Sequence, residues 1–301
     1  MNNKYVRKYV IIFSCIAIFT VIVVCSYLSI RRYILISQES EIAFENQEKI
    51  VENIRECLKK HYIKIAINFD SQGEYIEDIE KIAREWVELA MQPTGVPTEG
   101  DYLRYQIGNY KISYTIDEKA FNSKYRIFIE PVYYLTLEQE EEANEKVDEI
   151  LESLNISENS SDIEKINVIY DYIYDEINYD SIHKKNKFYQ LDSTIYAALV
   201  YNNASCQGFS LVANRLLLEA GVDNKIITGY AQRDEENIEY HAWNLVKVDG
   251  LYYNMDITWD KQTETKDYFL KSNRTFYTHT RDEEFSTEEF IKRYPDAYKD
   301  Y

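Results

Sequence analysis

Cysteine is scarce, and its placement excludes two classes of protein. Only four are present among 301 residues, and Cys15 and Cys25 lie in an apolar N-terminal stretch. Cys57 and Cys206 remain for the folded part. There is no Cys-x-x-Cys pair and no clustered Cys/His spacing, so neither a disulfide framework nor a zinc site is expected. A Cys57–Cys206 bridge is arithmetically possible, but Cys57 reads as part of a stalk-like helix. Basic residues are also few: 34 Lys and Arg face 52 Asp and Glu, a net charge of −18. Five of the basic residues, Lys4, Arg7, Lys8, Arg31 and Arg32, fall in the first 32 residues, which hold no acid. The rest of the chain therefore carries 29 basic groups against 52 acidic ones, net −23. A body that acidic repels phosphate backbones, anionic headgroups and anionic wall polymers, so no nucleic-acid partner is expected. Internal repeats and a calcium-loop pattern are absent as well.

Charge is missing altogether from Val10 to Ile30. Those 21 residues match a spanning helix in length. A cleavable signal is the alternative, but no small-x-small cleavage site precedes Arg31, and Val24 is a poor residue before a lipidated cysteine. Residues 1–36 are therefore expected to be an uncleaved signal-anchor. Lys4, Arg7, Lys8 and the terminal amine precede the span and only Arg31 and Arg32 come after it. The N-terminus is thus expected inside, and the body outside the cytoplasm on a single-pass cell-membrane anchor.

What is present beyond the anchor is largely core patterning. Apolar residues recur at helical spacing from Glu41 to Leu58, through Ile42, Ile50, Ile54 and Cys57. They do so again through Ile76, Ile79, Ile82, Trp86 and Leu89, until Pro93, Gly95, Pro97 and Gly100 end the run. Two strand-like stretches, Tyr102–Ile116 and Tyr125–Tyr134, flank a turn and predict a hairpin. Thr136 with Gln139 and Ser161 with Glu164 are capping boxes. The first opens a helix carrying Ala143, Val147, Ile150 and Leu154. The second opens one carrying Ile166, Ile169, Ile173 and Ile177. The polar break at Asn155–Ser161 divides residues 37–155, a helical stalk with a small α/β accessory region, from residues 156–301, where the chemistry lies.

The segment 204–221 predicts a helix, with Leu211, Val212, Leu216 and Leu217 on one stripe and Gly221 just past its end. Cys206 falls at its first turn, where free backbone N–H groups and the positive dipole end favour thiolate over thiol. The same N–H groups suit an oxyanion, and Gly208 leaves room beside the thiol. A lone cysteine there is more often inert packing, so the weight rests on residues further along the chain. Lys225–Tyr230 reads as a strand. Residues 241–260 read HAWNLVKVDGLYYNMDITWD, in which Asp249-Gly250 is a strong two-residue hairpin signal. Continuing that register sets Trp243 opposite Asp256 and His241 opposite Thr258. His241 and Asp256 then share a face as diagonal neighbours about 7–8 Å apart at the backbone, close enough for an imidazole to meet a carboxylate. His241 is the candidate base for Cys206 and Asp256 the candidate orienting acid. His61, His183 and His279 show no such partner, and His183, before Lys184 and Lys185, reads as solvated.

These residues resemble the transglutaminase-like superfamily, in particular bacterial membrane-anchored surface proteins with a transglutaminase core domain. The resemblance is carried by Cys206-x-Gly208, the Gly229 strand, HAWN at 241–244, Asp249-Gly250 and DITWD at 256–260. The helix from Asp162 into INYD at 177–180, and YFLKS at 268–272 with His279 after it, extend it across about residues 165–280. It implies an α+β, papain-like fold and cysteine acyl transfer on protein or peptide amides, with Cys206 nucleophile, His241 base and Asp256 orienting acid. Trp243 and Trp259 look like packing residues beside the site. A cysteine protease or peptide amidase with the same three residues is the near alternative, and a catalytically silent surface-binding module the distant one. One departure stands out: the glutamine that papain-like enzymes place before the nucleophile is replaced by Tyr201, Asn202, Asn203, Ala204 and Ser205. Asn202 or Asn203, or the Cys206 backbone N–H itself, would then hold the oxyanion. No cofactor or metal is expected.

Overall fold

The computed structural model describes residues 39–301, apart from 44–45, 71–77, 120–121, 158, 184–185, 187–188 and 234–236. The expected anchor at residues 10–30 lies outside the described residues, as do Lys184 and Lys185. Among the described residues, no helix is long and apolar enough to cross a membrane.

The N-terminal half runs β1(Glu39–Ala43), α1(Gln47–Lys59), β2(Lys64–Asp70), α2(Ile79–Ala90), α3(Asp101–Gln106), β3(Ile107–Lys119) and β4(Asn122–Tyr133). Its sheet has the order β1-β2-β4-β3, with β1 parallel to β2 and the other pairs antiparallel. One core joins Ile50, Ile54 and Leu58 of α1, Ala83, Trp86 and Val87 of α2, and Ile65, Ile67, Ile127 and Ile129 of the sheet. Helix α1 is therefore no stalk: it lies on the sheet and buries Cys57 there. Two local expectations fail in this half, and one strand is additional to them. Residues 39–43 are a strand, because Ile42 finds its burial opposite Ile67 of the parallel neighbour. Strand β2 is the additional one, with Ile65 and Ile67 fully buried and Ala66 between them. Helix α3, at residues 101–106, replaces the start of the expected first strand. Both Cys57 and Cys206 are free.

The C-terminal half runs α4(Leu137–Ser153), α5(Asp162–Glu176), β5(Asn178–Tyr179), a 3-10 turn at Leu191–Ser193, α6(Ile195–Val200), β6(Asn203–Ala204), α7(Cys206–Glu219), β7(Asn224–Gln232), β8(Ile238–Val248), β9(Leu251–Met255), α8(Ile257–Thr263), β10(His279–Arg281), a second 3-10 turn at Glu283–Ser286 and α9(Glu288–Arg293). Both capping boxes form as expected. The sheet β10-β7-β8-β9 is antiparallel throughout. The turn residues Asp249 and Gly250 both have positive φ, 50° and 85°, as the tight primed turn requires. Leu216 and Leu217 of α7 share a core with Ile169 and Ile173 of α5, Ala143 and Val147 of α4, and Val246 and Met255 of the sheet. Ile227, Trp243 and Leu245 pack instead with Phe276, Phe285 and Tyr294 of the C-terminal segment. The sheet is thus covered on both sides, which is why six consecutive residues of β8, 241–246, are buried.

Two contacts join the halves near the candidate site. The buried Asp101 at the start of α3 accepts the Ile226 N–H at 2.8 Å and pairs with Lys225. Gln207, the neighbour of Cys206, donates from Nε2 to the carbonyls of Tyr105 and Ser193 at 3.3 and 3.2 Å.

Candidate active site

Helix α7 begins at Cys206, with Ser205 as its N-cap. The Ser205 N–H donates to the Asp192 carbonyl at 2.8 Å, fixing the chain just ahead of the thiol. Gly208 serves a different purpose from the one expected. A Cβ there would stand 2.7 Å from the Ala204 Cβ and 2.9 Å from the Asp192 carbonyl. The glycine lets the helix start close down on β6 and the 191–193 turn, rather than opening space beside the sulfur. Asn244, on β8, donates from Nδ2 to the Ser210 carbonyl at 3.1 Å and ties the strand to the same helix.

The hairpin register runs as expected from Val248 opposite Leu251 to Asn244 opposite Met255. There the ladder stops. Asp256 leaves the sheet and N-caps α8, its Oδ1 accepting the Trp259 N–H at 3.0 Å. Trp243 therefore does not pair with Asp256, nor His241 with Thr258, because residues 257–263 are helical. The cap turns the carboxylate back toward β8, so its Oδ2 still meets His241 Nε2 at 2.8 Å. Both side chains are almost wholly buried, at 2% and 0% exposure. An ionised carboxylate only accepts hydrogen bonds, so Nε2 of His241 carries the proton and Nδ1 is the free lone pair of the neutral ring.

Cys206, half-buried, interacts with that same imidazole. Burial alone would lower the His241 pKa, but the Asp256 charge and then Cys206 outweigh it and hold the imidazolium up to about 10. For Asp256 burial again acts in the unfavourable direction, raising the pKa. The charge of His241 and the N–H groups of His241 and His279 reverse it and hold the carboxyl well below the usual range. Asp260, one helical turn along α8, behaves in the opposite way. It is fully buried and its pKa is pushed up to about 7 by desolvation, against hydrogen bonds from the Tyr170 hydroxyl at 2.7 Å and the Tyr268 N–H at 2.9 Å.

The aromatic residues expected beside the site are there. Trp259 lies 5.7 Å from His241 by ring centroid, and Trp243 stacks near it at 6.3 Å. Trp243 Nε1 donates to Asn254 Oδ1 at 3.1 Å. The other histidines are all partnered, contrary to expectation. His61 pairs with Glu140 and stacks on Tyr133. His183 bonds Asp180 at 2.7 Å and stacks on Tyr189 at 3.9 Å, so it is not simply solvated. His279, from β10, places Nε2 3.0 Å from the same Asp256 Oδ2 that meets His241. Its signal in the sequence was only its position after YFLKS. Gly229 makes the approach possible: it pairs with both His241 and Arg281, and a Cβ there would overlap the Thr280 carbonyl. Among the described residues, His241, Asp256 and His279 are the one grouping of ligand-type atoms, all within 4.8 Å. A metal ion would have to displace both imidazole–carboxylate hydrogen bonds.

Sequence comparison bears directly on this arrangement. The profile of the transglutaminase-like superfamily matches residues 151–257. Residues 151–257 are thus similar to a transglutaminase-like core. Within that core fall Cys206, His241 and Asp256, whereas His279 lies beyond it. No curated protein matches the chain. Among solved structures, the chain is similar to a TGase at 15% identity and a TM-score of 0.36, over 72% of this chain and 59% of that one. It is also similar to a candidate cysteine protease from Cytophaga hutchinsonii, at 13% identity and a TM-score of 0.31, over 50% and 65% of the two chains. A third, a candidate protease from Parabacteroides distasonis, shares 10% identity at a TM-score of 0.25, over 65% and 43%. The chain thus spans about three-fifths of the length of the TGase.

Proposed function

We propose that this protein is a cysteine-dependent acyl-transfer enzyme acting on protein or peptide amides, with Cys206 as nucleophile, His241 as base and Asp256 as the group that orients it. The observation that carries this reading is the buried 2.8 Å bond between His241 Nε2 and Asp256, on an imidazole that also meets the helix-start thiol. Nδ1 of His241 takes the thiol proton, and the sulfur attacks the amide carbonyl carbon. The resulting oxyanion is held by the Cys206 backbone N–H at the positive end of α7. As the C–N bond breaks, the imidazolium returns its proton to the departing nitrogen and a thioester remains. An amine or water then gives up a proton to His241 and attacks the thioester. The product is a new amide in the first case and a carboxylic acid in the second, and the thiol is regenerated.

The body is proposed to face the outside of the cell on the uncharged N-terminal segment. The test incubates the protein with casein and a labelled primary amine. Label entering casein supports transamidation, and shortened casein chains support proteolysis through the same three groups. Iodoacetamide separates both from a silent binding module. An enzyme shows rapid Cys206 alkylation that is lost in His241→Ala. Ordinary thiol behaviour, indifferent to that substitution, sinks the proposal.

A further inference from the structure

We propose that His279 is a positioning residue of this site: a neutral imidazole that donates its Nε2–H to Asp256 and fixes the carboxylate where His241 needs it. The inference rests on the reading of Cys206, His241 and Asp256 given above and adds a fourth group, supplied from outside the matched core.

The geometry is a carboxylate held from three elements. Asp256 Oδ1 accepts the Trp259 N–H of its own helix, and Oδ2 accepts His279 from β10 as well as His241 from β8. With the backbone cap alone, the carboxylate is tethered at one oxygen and free to swing its other oxygen away from His241. The bond from His279 closes that freedom. Since the ionised acid offers no proton, the hydrogen in the 3.0 Å contact belongs to His279 Nε2. The Nδ1 of His279 is then an acceptor, and the Thr278 hydroxyl supplies its donor at 2.9 Å. Both ends of the ring are thereby satisfied in one tautomer.

The surroundings keep this ring uncharged. Its side chain is fully buried. Phe276 stacks on it at 3.9 Å, and Trp259, Trp243 and Tyr268 lie at 4.4, 5.1 and 5.8 Å. Burial lowers its pKa despite the neighbouring carboxylate. Neutrality matters, because a second cation here would compete with the His241 imidazolium for the single negative charge of Asp256. A neutral donor steadies the carboxylate without drawing its charge away from the base.

The test combines spectroscopy and kinetics on the full chain. With only four histidines, 15N-histidine spectra resolve each ring. The expected result for His279 is an Nε2–H tautomer that stays unprotonated through the working pH range. A bare Nε2, or a titrating ring, overturns the proposal even if the protein turns over no substrate. In the amine-incorporation assay, His279→Phe fills the aromatic enclosure but donates nothing. Its kcat is expected to fall about 10- to 100-fold, the scale of one lost hydrogen bond to a charged group, with KM unchanged. His279→Gln, whose amide N–H reaches a similar point, should recover most of the loss. Wild-type kcat in a folded His279→Phe protein, or no recovery in a folded His279→Gln, refutes the role. Failure of the underlying reading looks different: the wild-type thiol would then alkylate slowly and ignore His241→Ala.

Discussion

Replacing Asp256 by asparagine tests the site where its geometry is most demanding. The carboxylate receives three N–H donors, from His241 and His279 at 2.8 and 3.0 Å on one oxygen and from Trp259 at 3.0 Å on the other. An amide has a single acceptor oxygen, so one side must fail. If the oxygen faces the imidazoles, the NH2 group confronts the Trp259 N–H, and α8 loses its cap at a cost of about 1 kcal/mol. If the NH2 group faces the imidazoles, His241 must turn to the opposite tautomer, placing N–H rather than a lone pair toward Cys206. A base in the wrong tautomer lowers kcat by about 10⁴-fold. Loss of the negative charge also removes the main support of the His241 imidazolium, now held up to about 10. The wild-type imidazolium should therefore persist to about that pH. In the variant its loss should begin in the ordinary histidine range. Amine incorporation and iodoacetamide alkylation, each measured across pH, report both effects, and circular dichroism confirms that the variant is folded. A folded Asp256→Asn protein within tenfold of wild-type kcat, with an unchanged alkaline limb, would refute the reasoning.

The same contacts set three further outcomes. Gly229→Ala forces a Cβ into the Thr280 carbonyl and should cost about 1–3 kcal/mol in urea unfolding. It should also lower kcat by moving His279 off Asp256, whereas wild-type kcat would show that β10 does not position the site. Asp260 keeps its proton in the fold up to about pH 7, while the unfolded chain releases it near 3.8. Its contribution to stability therefore declines between those values and leaves a deficit of about 4 kcal/mol above them. Asp260→Asn should raise stability by about 2–3 kcal/mol at pH 8, after losing one hydrogen bond worth about 1 kcal/mol, and should gain nothing at about pH 3.5, below both values. A variant less stable than wild type at pH 8 would contradict that sign. Asp101→Ala leaves the Lys225 ammonium and the Ile226 N–H without the carboxylate they share, an expected loss of about 3–5 kcal/mol in denaturant unfolding. A loss under about 1 kcal/mol would show that this junction contributes little.

The parts of the site that local chemistry dictates were legible in the sequence. Asp249-Gly250 specifies its own turn, and the turn fixes the register that brings β9 alongside β8. Gly221 and the leucine stripe bound α7 and so put Cys206 at its head. The two capping boxes were readable for the same reason, since each closes within four residues. What depends on distant partners was not. Ile42 fits a helical stripe with Ile50 and Ile54 as well as it fits a strand, and only β2 beside it decides. Residues 101–106 form a helix whose opening residue is anchored on β7, more than 120 positions away. Asp256 was expected to continue a strand, yet its own side chain caps the next helix. The outcome survived because the cap and the extrapolated strand aim the carboxylate at the same imidazole. The bond from His279 depends on β10 lying against β7 at a glycine, a long-range pairing with no local periodicity.

That pairing sets a lower limit on how small a fragment can be and still keep this arrangement. A gene trimmed at residue 257, where the superfamily match ends, would encode Cys206, His241 and Asp256, and would look complete by any inventory of motifs. It would lack the His279 ring that bonds Asp256, much of the aromatic wall around that ring, and most of the helix that Asp256 caps. Transplanting this core into another scaffold therefore means carrying the chain at least through Arg281.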